Sequence, residues 1–214
     1  MKTTIIPSVI FTCFGILTAG ISCAGADLGL CASAEQKLQV ESYYQENPGT
    51  LPMMAMRSLN LSESQVLDSL PPTLVAAADG SAFEVVWNLL TGWNNVMFLL
   101  VIDGHVIEVT SDFPGGTPST RSSYFNLEGD AALHGHLRPD RVGAIYALDL
   151  SSEGSTTARA IIFTNTKGVA SFSLYVSGPE REATDAEIAR FESLKQQIEE
   201  MPGPCDDLAE IKNE

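Results

Sequence analysis

Seven consecutive apolar residues, 96–102, run into Asp103-Gly104, and beyond them stand His105, Val106, Ile107, Glu108 and Val109. Asp-Gly between two strand-like runs is the strongest short-range hairpin signal. The two-residue turn that suits strand twist needs positive φ at both central positions. The hairpin commits this part of the chain to an antiparallel sheet, because parallel neighbours need a long crossover. His105, next to the turn, is expected to be exposed. Further strand-like stretches fall at 124–127, 142–150, 157–164 and 169–176, and Asn165 to Gly168 reads as the turn between the last two.

Helical signals surround these strands. Ser33 with Gln36, and Ser62 with Gln65, are capping boxes that open helices at 33–47 and 61–70. Between them 51–59 reads as a short helix, with Met53, Met54 and Met56 as buried packing residues. Phe83, Trp87 and Leu90 recur at helical spacing in 83–93, with their aromatic rings expected to pack on a sheet. Ile188, Phe191, Leu194 and Ile198 make one face of a closing helix, 182–199. The fold class is therefore α+β: a large antiparallel β-sheet with a helical N-terminal module and a C-terminal helix.

The three short opening helices are similar to a helix-turn-helix module, but charge argues against nucleic acid as a partner. The chain has 27 acidic and 12 basic residues, a net charge of −15, and such a surface repels polyanions.

Lys2 is the only charge before Asp27; an apolar stretch and small residues ending Ala24-Gly25-Ala26 follow it. This reads as a signal peptide, residues 1–26, cleaved after Ala26, and predicts an exported protein, periplasmic or secreted. Lipid modification at Cys23, and an uncleaved anchor helix, are the alternatives. Cleavage would leave two cysteines, Cys31 and Cys205, an even pair that an oxidising compartment would join as a disulfide. Two free thiols are the alternative.

Recognised motifs for dinucleotides, nucleotide phosphates, hydrolytic serine or zinc proteases are absent from the sequence. The chemistry that stands out is a run of 123–140. Two of the three histidines, His134 and His136, sit here with one glycine between them. In an extended segment His134, His136 and Arg138 share a face, with Leu133 and Leu137 opposite. Imidazoles beside a guanidinium suit an anionic ligand that also carries a metal, and haem is both. The alternative is a surface or packing role.

Leu61 to Pro71, Phe83 to Trp87, Gly92-Trp93, Tyr124-Phe125-Asn126-Leu127, Gly135-His136-Leu137-Arg138 with Asp140, Phe163-Thr164-Asn165, Gly168, Leu174-Tyr175-Val176 and Arg190-Phe191 together resemble the haem-utilisation carrier family of the HutX/ChuX type. The resemblance spans about residues 61–198. It implies a non-catalytic haem carrier with haem b as the carried ligand, a homodimer, and a haem transporter or haem-processing partner. It also maps the family's pocket histidine onto His136, the candidate ligand to haem iron. His134 and Tyr124 are further ligand candidates, and Arg138 and Arg121 are candidates to face the propionates. Two other family histidine positions read Val101 and Ser122 here. The alternatives are a haem-degrading or tetrapyrrole-modifying enzyme, and an envelope binding domain that has lost haem. The resulting division is a leader at 1–26, a helical module at 27–72, a haem-carrier-like domain at 73–200 and an acidic tail at 201–214.

Overall fold

A computed structural model describes residues 29–151, 158–177 and 182–206. Three helices come first: α1 (Ala34–Glu46), α2 (Pro52–Leu59) and α3 (Glu63–Asp68). Then follow β1 (Val75–Asp79), α4 (Phe83–Leu90), β2 (Val96–Ile102) and β3 (His105–Ser111). Three short strands, β4 (Gly116–Pro118), β5 (Phe125–Leu127) and β6 (His136–Leu137), precede three long ones, β7 (Val142–Asp149), β8 (Arg159–Asn165) and β9 (Ala170–Ser177). Helix α5 (Asp185–Glu199) follows. Ser33, Ser62 and Thr184 each make a reciprocal capping box, so the helix starts are written locally in the chain.

The six long strands form one antiparallel sheet in the order β1-β7-β8-β9-β2-β3. The turn between β2 and β3 has φ of 49° at Asp103 and 83° at Gly104, the pair of positive angles that the Asp-Gly signal requires. His105 is exposed.

The sheet is covered on both faces, which is why its central strands read as nearly unbroken apolar runs. On one face Ile145, Ala147, Ile161 and Phe163 meet Phe83 and Trp87 of α4 and Phe191 of α5. On the other, Tyr146, Leu148 and Ile162 meet Val40, Ala55 and Val66 of α1–α3. Trp87 is fully buried against the rings of Phe83, Phe113 and Phe125, and its indole N–H donates to the Pro114 carbonyl at 3.1 Å. Cys31 and Cys205 are bonded, with Cα atoms 5.7 Å apart and a sequence separation of 174.

Two strands lie where the sequence carries no strand signal, and one methionine departs from the packing expected of it. Residues 75–79 form β1 although three of them are alanines, poor strand formers. Pairing along β7 supplies their backbone bonds, and Ala76 and Ala78 share a core with Leu194 and Ile198 of α5. Residues 116–118, within a stretch rich in glycine, proline, serine and threonine, pair with β5; a Cβ on Gly116 would collide with the Phe125 ring, so the glycine permits the approach. Of the three methionines, Met54 is 50% exposed and so is not core packing.

Candidate functional site

The β4–β5–β6 sheet rests on the large sheet through Phe125, Leu127 and Leu137. Its other side carries the polar residues of the 123–140 run. His134 and His136 are exposed while Leu133 and Leu137 are half-buried, the alternation expected of an extended segment. Only His136–Leu137 is strand, however. Gly135 has φ of 148°, a conformation that side chains disfavour, and it sets His134 outside the ladder. The His134 ring bonds locally, Nδ1 to the Ala132 carbonyl at 3.2 Å.

Three of the expected residues come together. The rings of Tyr124 and His136 lie 5.9 Å apart, and the Arg138 guanidinium sits 5.5 Å from the Tyr124 ring centre. Arg138 also donates two hydrogen bonds to Asp140, at 2.7 and 2.6 Å. That pair holds the Asp140 carboxyl below its ordinary range. His136 Nδ1 lies 2.8 Å from Asn126 Oδ1, its cross-strand neighbour. With that oxygen as acceptor, Nδ1 carries the proton and Nε2 keeps its lone pair. An outer-shell partner of this kind fixes the tautomer a metal ligand needs. Arg121 sits in the turn before β5, its backbone N–H donating to Ser119 Oγ at 3.2 Å. Among the described residues its guanidinium makes no ion pair or ring contact with the cluster.

The Ser122 hydroxyl accepts from the Tyr124 backbone N–H at 3.4 Å, so it helps to build the turn that presents Tyr124. Val101 belongs elsewhere. Phe98 and Leu100 point to the core shared with the small sheet, so by alternation Leu99 and Val101 face the opposite side of the large sheet, where they line a cavity with Tyr175. Within one subunit the Val101 position and His136 are thus separated by a sheet, and the valine removes nothing from the cluster around Tyr124. Asn126 and Asp140 were within reach of sequence reasoning, as neighbours of the histidine and arginine in the same run. Only pairing of β5 with β6 shows what they hold.

The family model for haem utilisation ChuX/HutX matches residues 76–194, more than half of the chain.

The chain belongs to that family.

The Intracellular heme transport protein HutX of Vibrio cholerae serotype O1 is 30% identical over 161 residues, 74% of this chain and 82% of that protein. Among solved structures, ChuX superposes with a TM-score of 0.65 at 20% identity, over 75% of this chain and 98% of its own. The heme-binding protein PhuS of Pseudomonas aeruginosa, in its apo form, gives 0.60 at 18% identity, over 77% of this chain but 44% of its own. At those identities the structures show the shared fold, and the α+β architecture with a large antiparallel sheet is the one they have.

The same comparison corrects the expectation of export: the curated HutX relative is named an intracellular protein. The leader, its cleavage point after Ala26, Cys23 and the anchor alternative all lie outside the described residues, as do the tail residues 207–214.

Proposed function

We propose that this chain binds haem at the Tyr124–His136–Arg138 cluster and carries it without altering it chemically. The observation that carries the reading is the 2.8 Å Asn126–His136 contact, which in the Nδ1–H tautomer leaves Nε2 as a lone-pair donor on an exposed edge. The ChuX/HutX family membership supplies the ligand class. Haem b is the form we assign, an iron porphyrin with two carboxylates. His136 is the iron ligand, and Tyr124 is the alternative, as a phenolate on ferric iron. Arg138 offers a guanidinium to a propionate, with Asp140 already occupying it and therefore giving way or sharing. Arg121 and His134 are close in sequence and take supporting roles at the rim. The exposed edge strand β3, with Val106 and Ile107 each more than half exposed, supports a homodimer, and delivery calls for a transporter or haem-processing partner.

The test is a haemin titration of the purified protein. His136→Ala should shift the Soret band or weaken binding at least tenfold, about 1.4 kcal/mol. Arg138→Ala should weaken binding with less effect on the spectrum, because it touches the propionate and not the iron. Tight binding unchanged in both respects by His136→Ala would move the assignment to Tyr124, with Tyr124→Phe the next variant. Loss of the porphyrin on adding an electron donor would show an enzyme in place of a carrier.

A further inference from the structure

On the sheet face away from His136, between α2, α3, β9 and the β2–β3 turn, lies a cavity of about 210 Å³. That is room for roughly seven waters at liquid density, far too little for a tetrapyrrole. Met53, Met56, Leu99 and Val101 make apolar walls, and Tyr175 and Ser173 add hydroxyls. Glu63, the first residue of α3, also lines the cavity, yet it is only 5% exposed. The Ala170 backbone N–H donates to its carboxyl. Arg57 and Asp103 sit at the cavity as well, but among the described residues no cation lies within ion-pair distance of Glu63.

A buried carboxylate without a cation is costly, and one that lines a cavity gains from a cationic ligand bound there. We infer that this cavity is a second binding site, selective for a small organic cation: a primary ammonium on a short alkyl chain, its nitrogen on Glu63 and its tail against Met53, Met56 and Val101. The thioethers adapt to such a tail, and the Tyr175 ring favours a neighbouring cation. A chain of net charge −15 concentrates cations around itself. A bare metal ion is the poorer occupant, because the described residues hold no group of three or more metal-ligating side chains. The site is independent of the haem reading.

The charged and titratable groups around Glu63 are Tyr44 from α1, Tyr175 from β9, and Arg57 and Asp103 at the cavity. Burial pushes the Glu63 carboxyl up to about 7, with the Ala170 N–H acting the other way. Burial likewise raises the Tyr175 phenol to about 12 and pushes Tyr44 up, so both stay neutral near pH 7. A cation that needs ionised Glu63 should therefore bind about tenfold more weakly at pH 6 than at pH 8.

The probe is n-butylammonium chloride, followed through the Ala170 amide resonance of the full chain, with n-butanol as the neutral match. Butylammonium should give a saturable shift with the stated pH dependence, and n-butanol a weaker one that ignores pH. Glu63→Gln should weaken butylammonium at least tenfold and leave n-butanol unchanged. Calorimetry of the unmutated protein at pH 6.5, in two buffers of different ionisation enthalpy, should show proton release on binding. That measurement stands even if the variant fails to fold. Absence of a saturable shift, equal affinity for n-butanol, or butylammonium binding without proton release overturns the inference.

Discussion

The middle of the large sheet and the surface of the small one are built to opposite rules. Ile145, Ile161 and Phe163 on one face, and Tyr146 and Ile162 on the other, are sealed beneath helices. At β5–β6 one side is sealed by Phe125, Leu127 and Leu137, while Tyr124 and His136 face water. Hydrophobic burial stabilises the first region, so its side chains are constrained by volume. The second uses burial on one side only, to hold a polar edge in place. Its residues are free to be chosen for chemistry. The region that stabilises the fold and the candidate site share one core but few duties.

Four measurements can break that separation. Trp87→Ala removes the largest fully buried side chain and should cost about 3–5 kcal/mol in urea unfolding. A loss below about 1 kcal/mol would mean that the aromatic core is not what holds α4 to the sheet. Next in size is the Cys31–Cys205 bond. It joins positions 174 apart in sequence, and removing it should cost about 2–4 kcal/mol. Non-reducing peptide mapping checks the pairing first; two freely alkylated thiols would remove the basis of the prediction.

Glu63 comes third. Its folded-state pKa, about 7, lies above the ordinary value of 4.5. Between those values the folded state holds a proton that the unfolded state has released, so stability falls as pH rises through that window and levels off above it. The decline should be of order 2–3 kcal/mol, and the difference between the unmutated protein and Glu63→Gln isolates it. Parallel stability curves for the two proteins from pH 4 to 8 would show Glu63 to be solvated. The smallest effect belongs to the exposed edge. His136→Ala should change stability by less than about 0.5 kcal/mol while altering haemin binding, since surface substitutions seldom do more. A stability loss above about 1.5 kcal/mol would make His136 a structural residue and blur the two regions.

The helix starts and the hairpin were legible because their signals are local. Ser33, Ser62 and the Asp103-Gly104 pair act within four residues of themselves, whatever the rest of the chain does. The run around His136 was legible as a concentration of polar chemistry on an apolar alternation. Strand β1 was not, because alanines enter a strand only when a partner such as β7 offers its edge. The cavity left no trace either: Glu63 read simply as the first turn of a capped helix.

Taken alone, the sequence determined the α+β class, the helix boundaries to within a few residues, the central hairpin and the residues around which the candidate site is drawn. Those follow from periodicity, caps and turn chemistry, which are short-range. Tertiary structure decided which residues meet. It brought Tyr124, His136 and Arg138 into one cluster, gave His136 its Asn126 partner, placed Val101 behind the sheet and buried Glu63 beside Ala170, 107 positions away. The physical reason is that strand pairing and helix docking set distances between residues far apart in sequence, and burial fixes whether a charged group is solvated. Neither quantity exists until the chain has folded.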